Sequence, residues 1–517
     1  LFDQAFMLAM QNTDYTLPEE RSVTIRRGIE VGMLDFDQAD AIMDTGYADA
    51  MAAMPQILAR IGTRRTPEQS AARREAFRAQ CPPLIFDDYR FDGLTPAQRA
   101  YIRDIIKVDR RTSGGQREME FGELRDNLYS VLVDGDFTME YPSVRFDSVR
   151  DRYSFRTRLG NKPNFRLTIG GNVSSTPFNQ IYLGIDYQAV GRTAQQFDLD
   201  LYLGPLYTWG TVGGRTDFYM RYPVFLEYSY VFSTSNYGHG SFGRLTKVDN
   251  IQSVKEGQSF LTLGAGIPLT RRSVLMVHAN GGRINYRYES ERQPADDTDQ
   301  TRFNFLGVKA EVARNTLDKF LYPRRGTDLS FSLVYVRGLD KFRPFETRRF
   351  TQKRTRQWFG GRFSWDAYFD IPACRWFSVG LDIDAVTTTL PDFTTDAATL
   401  MAMPAYAPVS HARMIYMPDF QARRFIAGGA MPTFDILPNF FFRTGIYAMY
   451  RERHDFPTLS GRPDRQWHYI AEASLVYHTP IGPVSLALTK YDLHDWKNMY
   501  LTFNLGYPIF APKGTFY

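Results

Sequence analysis

The sequence predicts a mainly β protein, a transmembrane antiparallel β-barrel of about 16 strands preceded by one small α/β module and a helical N-terminal segment. Three observations support this prediction. Nearly every segment after Asn164 alternates apolar and polar residues, and the roughly 350 residues concerned contain no convincing helix. Aromatic residues cluster near the strand ends, as in the girdles of membrane barrels. The connections between strands differ in length, and strict alternation places all the long ones on one face.

Alternation is clear in the last strand, where Leu501, Phe503 and Leu505 face away from Thr502 and Asn504. The same period also fits a soluble multi-sheet protein, which is apolar inside and polar outside. The number of strands favours a closed barrel, because an open sheet of this size would split or curl. The long connections are at 238–257, 292–301, 339–356 and 390–418.

Composition limits the remaining choices. The chain has 517 residues with 62 Lys+Arg and 57 Asp+Glu, and this net charge of +5 argues against a broad nucleic-acid surface. No apolar run approaches the ~18 residues of a membrane-spanning helix. The two cysteines, Cys81 and Cys374, lie far apart and lack metal-ligand spacing. We therefore expect no disulfide framework, no metal and no cofactor.

Four segments follow one another along the chain. Residues 1–62 read as helical with one strand near Ser22–Ile25, and their apolar positions need a packing partner, so we expect them to be the end of a larger α/β domain. Residues 63–83 form a connecting helix, with Thr66 as N-cap and Pro67 at the first helical position. Residues 84–162 form the α/β module, and residues 163–517 form the barrel.

The module has the order strand, helix, helix, strand, strand. We predict a strand at 84–91, a helix from Pro96 to Lys107, a second helix over 118–133, and strands at 137–147 and 153–159. The second helix is indicated by apolar residues at three- and four-residue spacing.

This order resembles the bacterial surface antigen and outer-membrane insertase superfamily, in which POTRA domains precede a sixteen-stranded barrel. Asn315–Asp318 followed by Tyr322–Gly326 is similar to the superfamily's recurrent YPxxG turn, and Gly482-Pro483 is similar to its GP pair before the penultimate strand. Ordinary Pro/Gly turns would explain the same letters.

The resemblance implies a loop that enters the barrel with an Arg-Gly-Phe-type tip. At the corresponding place, before the last four strands, this chain has Arg423-Arg424-Phe425 followed by Ile426-Ala427-Gly428-Gly429. The resemblance therefore assigns the lumenal contact to Arg423 or Arg424. The altered motif weakens the inference that the chain secretes or inserts proteins.

The N-terminal segment resembles a different family. Leu34–Asp40, Ile42 and Gly46–Ala50 are similar to the closing segment of patatin-like phospholipase domains, which are known to precede a POTRA domain and a barrel. Such lipases use a Ser-Asp dyad with the serine in a G-x-S-x-G elbow. The chain has no such elbow. Ser241 comes nearest, with Gly240 before it, but His239 replaces the first glycine.

Other chemistry is absent from the motifs. The seven histidines show no metal-ligand spacing. The patatin resemblance implies that the catalytic Ser-Asp dyad is not in this chain. The basic pairs, such as Arg271-Arg272 and Arg348-Arg349, are candidate contacts for lipid or lipopolysaccharide phosphates or are solvated loop charges.

The leading hypothesis is the membrane anchor of an outer-membrane patatin-like phospholipase, with the N-terminal parts in the periplasm. The alternative is an outer-membrane translocation or assembly pore, whose POTRA domain binds client strands by edge addition. A third hypothesis is a structural component of a larger complex. The expected partners are outer-membrane lipids and lipopolysaccharide, periplasmic or outer-membrane proteins, or further copies of the chain, and not nucleic acid.

Overall fold

The computed structural model describes residues 17–18, 20, 22–28, 39–61, 65–106, 117–133, 137–174, 179–205, 207–219, 223–237, 251–270, 272–290, 298–347, 349–371, 374–414, 417–452, 466–480, 482–491, 499–506 and 513–515. It divides into two compact units. One comprises residues 1–84 with 148–152, and the other comprises residues 85–147 with 153–517. None of the helices in these ranges is long and apolar enough to cross a membrane.

In its described residues, the first unit contains the helices α1 (Ala39–Ala52), α2 (Met54–Arg60) and α3 (Pro67–Ala79). The predicted connecting helix is confirmed as α3. Thr66 caps it through a capping box with Gln69, and both hydrogen bonds measure 3.2 Å. The predicted strand near Ser22–Ile25 is wrong, because residues 22–28 are irregular and no described strand lies in this unit to pair with them. The apolar run Phe2–Met10 lies outside the described residues.

The second unit begins with the α/β module, whose presence confirms the predicted order. Its elements are β1 (Ile85–Asp92), α4 (Pro96–Ile106), β2 (Met119–Glu120), α5 (Phe121–Val133), β3 (Phe137–Met139), β4 (Ser143–Asp147) and β5 (Arg152–Asn161). The sheet order is β2-β1-β5-β3, β1 and β5 are parallel, and β4 also pairs with β5. The predicted strand at 137–147 is therefore two short strands, separated at 140–142. The two helices pack Ile102, Ile106 and Leu124 into the core.

The rest of the unit is a closed barrel of sixteen antiparallel strands. The strands are β6 (Phe165–Ser174), β7 (Gln180–Val190), β8 (Ala194–Leu203), β9 (Tyr207–Tyr219), β10 (Pro223–Tyr237), β11 (Ile251–Thr270), β12 (Ser273–Ser290), β13 (Asp299–Asn315), β14 (Gly326–Arg343), β15 (Gln352–Ile371), β16 (Cys374–Thr388), β17 (Arg424–Leu437), β18 (Phe440–Arg451), β19 (Trp467–Thr479), β20 (Gly482–Tyr491) and β21 (Met499–Gly506).

The direction of the alternation decides between a membrane barrel and a soluble sheet protein. In β21, Leu501 and Phe503 are 65% and 41% exposed, whereas Thr502 and Asn504 are buried. The other strands also turn large apolar side chains outward, for example Leu306 at 72% exposure. A surface that is apolar outside and polar inside is typical of a barrel embedded in lipid.

The connections sort onto two faces as predicted. Short turns such as 191–193 and 438–439 lie on the face of the barrel from which β6 starts, while the connection 389–423 lies on the opposite face. The module packs at the short-turn face, because the ring of Tyr101 in α4 contacts that of Tyr219 in β9, with centroids 5.2 Å apart. Strand pairing occupies part of the predicted loops, since β11 already begins at Ile251 and β14 continues to Arg343.

Candidate functional site: the barrel lumen and the seam

The long connection between β16 and β17, residues 389–423, folds into the barrel, and we call it the lumenal loop. It contains α6 (Asp396–Ala402), α7 (Ser410–Met414) and a 3-10 turn at Pro418–Phe420. Its side chains are largely buried against inward-facing residues of the strands. The loop therefore fills part of the lumen.

The first half of the lumenal loop packs on strands β13 to β15. The ring of Phe393 lies 5.1 Å from that of Phe303 and 6.2 Å from that of Trp358, which is 1% exposed. Asp340 accepts hydrogen bonds from the backbone N–H and the hydroxyl of Thr394, at 2.9 and 2.8 Å. A buried carboxylate held in this way fixes the loop to the wall, since its loss would leave a polar group unsatisfied.

The second half of the loop packs on strands β18 to β20. One ring nitrogen of His411, Nδ1, lies 2.8 Å from the Tyr491 hydroxyl. The other ring nitrogen, Nε2, is buried without a hydrogen-bond partner among the described residues. Burial lowers the pKa of His411 to about 4, so the ring is neutral at physiological pH.

Charged residues meet under the loop. Arg413 of α7 interacts electrostatically with Asp366, Asp382 and Asp384 of the wall. Arg362 donates two hydrogen bonds to Asp384, at 3.0 and 2.6 Å. These groups border a lumenal cavity of about 510 Å³. In a site of low dielectric constant the arginines hold the carboxylates in place, and the removal of one partner is strongly destabilising.

The YPxxG turn enters the same cavity from the short-turn face. Asp318 accepts hydrogen bonds from the backbone N–H groups of Arg324 and Arg325, at 2.9 and 3.2 Å. Gly326 has φ of +100°, and a Cβ there would lie 2.1 Å from the Thr316 carbonyl oxygen, so the motif needs glycine. The turn holds the half-buried Tyr322, whose ring lies 5.8 Å from the Arg443 guanidinium.

Neither predicted arginine, Arg423 or Arg424, borders this cavity, and their lumenal contact stays a prediction. Arg423 forms an ion pair with Asp392 within the lumenal loop. Arg424 is the first residue of β17, is 60% exposed and lies 3.9 Å from Glu452. The arginines that border the cavity are Arg362, Arg413 and Arg443.

Sequence reasoning missed Arg413 because the segment around it, Ser410–Met414, lacks the Gly and Phe of an Arg-Gly-Phe tip. Five strands, not four, follow the loop, because 424–437 forms a complete strand. The signal that was available is the position of an arginine within a long connection that also holds buried apolar residues.

The barrel closes through the pairing of its first strand, β6, with its last strand, β21, which we call the seam. There, Asn172, Val173 and Ser174 of β6 pair with Gly506, Leu505 and Asn504 of β21. A Cβ on Gly506, which has φ of +103°, would lie 2.1 Å from the Gly171 carbonyl oxygen. By comparison, β11 and β12 pair almost from end to end.

The C-terminal residues 513–515 also reach the inner wall. The Gly514 N–H donates to Gln258 Oε1 at 3.0 Å, and the Asn280 side chain donates to the Gly514 carbonyl. Thr515 is 5% exposed. Together with the lumenal loop, this segment occupies the lumen beside β11 and β12.

The described histidines and cysteines lie at separate places in the fold. His278 lies 3.5 Å from Glu227, and Cys81 and Cys374 are free thiols. Within the described ranges, no group of His, Cys, Asp or Glu is arranged to bind a metal ion. Ser241 lies outside the described residues.

Comparison with known proteins supports the fold. No protein-family model matches the sequence, and no curated protein does. The structure is similar to that of BamA from Haemophilus ducreyi lacking POTRA domains 1–3, with a TM-score of 0.57, 10% identity, and coverage of 82% of this chain and 84% of that one. The fold is that of a BamA-like outer-membrane β-barrel.

Two structures of CdiB superpose less well on this barrel. CdiB from Acinetobacter baumannii has a TM-score of 0.49 at 9% identity, covering 98% of this chain and 96% of that one. CdiB from Escherichia coli has a TM-score of 0.45 at 10% identity, covering 82% and 76%.

Proposed function

We propose that this outer-membrane barrel assembles client proteins by offering the edge of β6 at its seam as a template for strand addition. One observation carries the proposal. The described ladder between β6 and β21 comprises three residue pairs, Asn172–Ser174 with Asn504–Gly506, whereas β6 pairs with β7 over residues 165–172. If this ladder opens, the edge of β6 would recruit further strands through its N–H and C=O groups.

The side chains of this edge fit the same role. Phe165, Leu167 and Ile169 point outward and are 57%, 53% and 73% exposed. A client strand that pairs here would continue the lipid-facing surface of the barrel with its own alternate apolar residues. Lipid offers no hydrogen bonds to an open edge, so pairing with a client would be strongly favoured.

The filled lumen favours assembly at the seam over passage through the pore. The lumenal loop and residues 513–515 both pack against the inner wall. A client crossing the lumen would have to displace these contacts, whereas a client at the seam would not.

The module supplies a second edge. Every residue of β4 is exposed, including Val144 and Phe146 at 48% and 43%. β4 pairs with β5 in this sheet. We assign the module the role of a POTRA domain, which would hold an extended client on the periplasmic side by strand addition before it reaches β6.

A disulfide across the seam tests the proposal. Val173 and Leu505 are directly opposite each other in the β6–β21 ladder, so V173C/L505C would lock the seam shut. The matched control is L488C/L501C, which joins opposite positions of β20 and β21 and leaves the seam free. Both variants are reconstituted into liposomes, and insertion of an unfolded client barrel is followed by protease protection.

We expect oxidised V173C/L505C to lose client insertion and to recover it on reduction, with the control active in both states. Insertion by the locked protein at the normal rate would contradict the proposal. The patatin-like hypothesis rests on the sequence at 34–50, of which 39–50 lies in α1. It stays a prediction, and lipid hydrolysis by the full-length gene product would support it.

A further inference from the structure

A basic patch lies on the outside of the barrel, on the strands opposite the seam. We define the basic patch as Arg283 and Arg287 of β12, Arg302 of β13, and Lys341 and Arg343 of β14. All five occupy outward positions, because they alternate with buried inward residues such as Ile284, Tyr286, Phe303 and Asp340. The patch is therefore on the lipid side of the wall and not in the lumen.

Strand register places Arg302 at the centre of the patch. Lys341 is its direct partner on β14. Arg283 and Arg287 pair with Asn304 and Gln300, the residues two positions to either side of Arg302. Direct and diagonal neighbours in a ladder lie within reach of long side chains. Arg343 completes the set, because it also pairs with Gln300.

Two arginines of the patch donate hydrogen bonds to neutral side-chain amides. Arg283 Nε donates to Asn304 Oδ1 at 3.2 Å, and Arg302 Nε donates to Asn285 Oδ1 at 3.1 Å. Each bond uses one of the five donors of a guanidinium and orients the group without neutralising it. The remaining donors are available to an anion.

Among the side chains that the structure describes, no carboxylate pairs with the positive charges of the patch. Arg283, Arg287 and Arg343 all repel Arg302 electrostatically. The ion pairs of the same strands lie inside the barrel, Lys309–Glu311 at 2.8 Å and Arg356–Asp340 at 3.5 Å, and none that the described residues form includes a patch side chain. Clustered charges of one sign are unfavourable unless a counter-charge binds them.

The height of the patch matches a membrane surface. Arg337 on β14 is also outward and lies opposite Leu306, and below it the outward residues become apolar, with Val308 on β13 and Leu333 on β14. Tyr335 and Phe359 contact each other at the boundary, with centroids 4.7 Å apart, as in an aromatic girdle. Arg302 lies two outward positions above Leu306, or about 13 Å along the strand at about 3.4 Å per residue. Lipid headgroups occupy this level.

The patch also lies on the long-loop side of the barrel, away from the module. In an outer-membrane barrel this is the cell exterior, where the outer leaflet carries phosphorylated glycolipid. We propose that the basic patch is a binding site for the headgroup phosphates of lipopolysaccharide. Guanidinium groups recognise phosphate through paired, charge-assisted hydrogen bonds.

The test uses the purified full chain in detergent with a chelator present, so that divalent cations do not bridge the phosphates. Binding of lipid A is compared with that of lipid A lacking its phosphates. The variant is R283Q/R302Q/K341Q, and the control is R73Q/R74Q/R78Q on the exposed surface of α3, which makes the same change in charge.

We expect the patch variant to bind lipid A about 100-fold more weakly, since each basic side chain near an anionic surface contributes about fivefold. The control should bind normally, and dephosphorylated lipid A should bind both proteins weakly. Without lipid, the patch variant should melt close to the unaltered protein, because the relief of like-charge repulsion offsets the loss of the two hydrogen bonds to Asn304 and Asn285.

Equal binding by the patch variant and the control would overturn the proposal, as would undiminished binding of dephosphorylated lipid A. Binding of phosphatidylglycerol micelles as tightly as lipid A would overturn the assignment to lipopolysaccharide.

Discussion

The two sides of the barrel are built differently. The strands beside the seam are short, with 11 residues in β7 and 10 in β8, whereas β11 and β15 on the far side have 20 each. A tilted membrane strand needs about 9–11 residues. The strands beside the seam, β6–β8, which we call the seam wall, are therefore just long enough to span the bilayer. The tall wall, β11–β15, continues well beyond it.

The difference separates two tasks. The tall wall has continuous ladders and a basic patch at headgroup height, so it can hold the barrel in the outer leaflet. The strands beside the seam are shorter, so we expect this side of the barrel to open at lower cost. The lumenal loop contacts both sides, with Phe393 on the tall wall and His411 on β20 near the seam. Loosening the loop on one side should therefore affect that side first.

The largest effect is expected at the tall wall from Trp358→Ala. Trp358 is almost fully buried and contacts Phe303 and Phe393. Truncation of a buried Trp costs about 3–5 kcal/mol, because it removes apolar contact and leaves a cavity. We expect the first half of the lumenal loop to undock, which limited proteolysis of 389–403 in detergent would detect.

The control for this variant is Phe359→Ala. Phe359 is the next residue on β15 but points outward and is 64% exposed. It should leave the loop protected. Equal proteolysis of both variants would show that the loop is not anchored by the packing around Trp358.

A smaller effect, near the seam, should depend on pH. The pKa of His411 is lowered by burial from an ordinary value of 6.5 to about 4. His411 therefore binds a proton more readily when the loop is undocked. Docking of the loop is fully stable above about pH 6.5 and becomes less stable as the pH falls from 6.5 to 4. The loss amounts to about 3 kcal/mol, at 1.4 kcal/mol per tenfold change in proton affinity.

The matched variant is His411→Gln, which keeps a polar group near the Tyr491 hydroxyl but does not titrate. Thermal melting at pH 7.5 and 4.5 should show a larger loss for the unaltered protein than for the variant. The hypothesis fails if both proteins lose the same amount.

Sequence alone predicted the strands well and the lumen poorly. Alternation along β21 shows which residues share a face, and the Pro/Gly turn at 322–326 marks a strand boundary, because both are local properties of the chain. The contacts of Arg413 and the outward cluster around Arg302 depend on register between strands distant in sequence, which local patterns do not encode. Likeness to the Arg-Gly-Phe motif suggested Arg423 and Arg424, because a motif is found from residue types and not from the burial of side chains.

The smallest effect is expected at the seam from Gly506→Ala. Gly506 has φ of +103°, and its Cβ would lie 2.1 Å from the Gly171 carbonyl oxygen, so the ladder must shift. Backbone strain of this kind costs about 1–3 kcal/mol, and it falls on one of the three described pairs of this ladder. Gly361→Ala on β15 is the control, because the nearest neighbour of its new Cβ would be 3.5 Å away, an ordinary contact.

Hydrogen exchange of the amides at 172–174 should accelerate by about tenfold or more in Gly506→Ala and stay unchanged in Gly361→Ala. Unchanged exchange in Gly506→Ala would mean that the short ladder does not limit opening, and that the tall and short walls differ in length but not in stability.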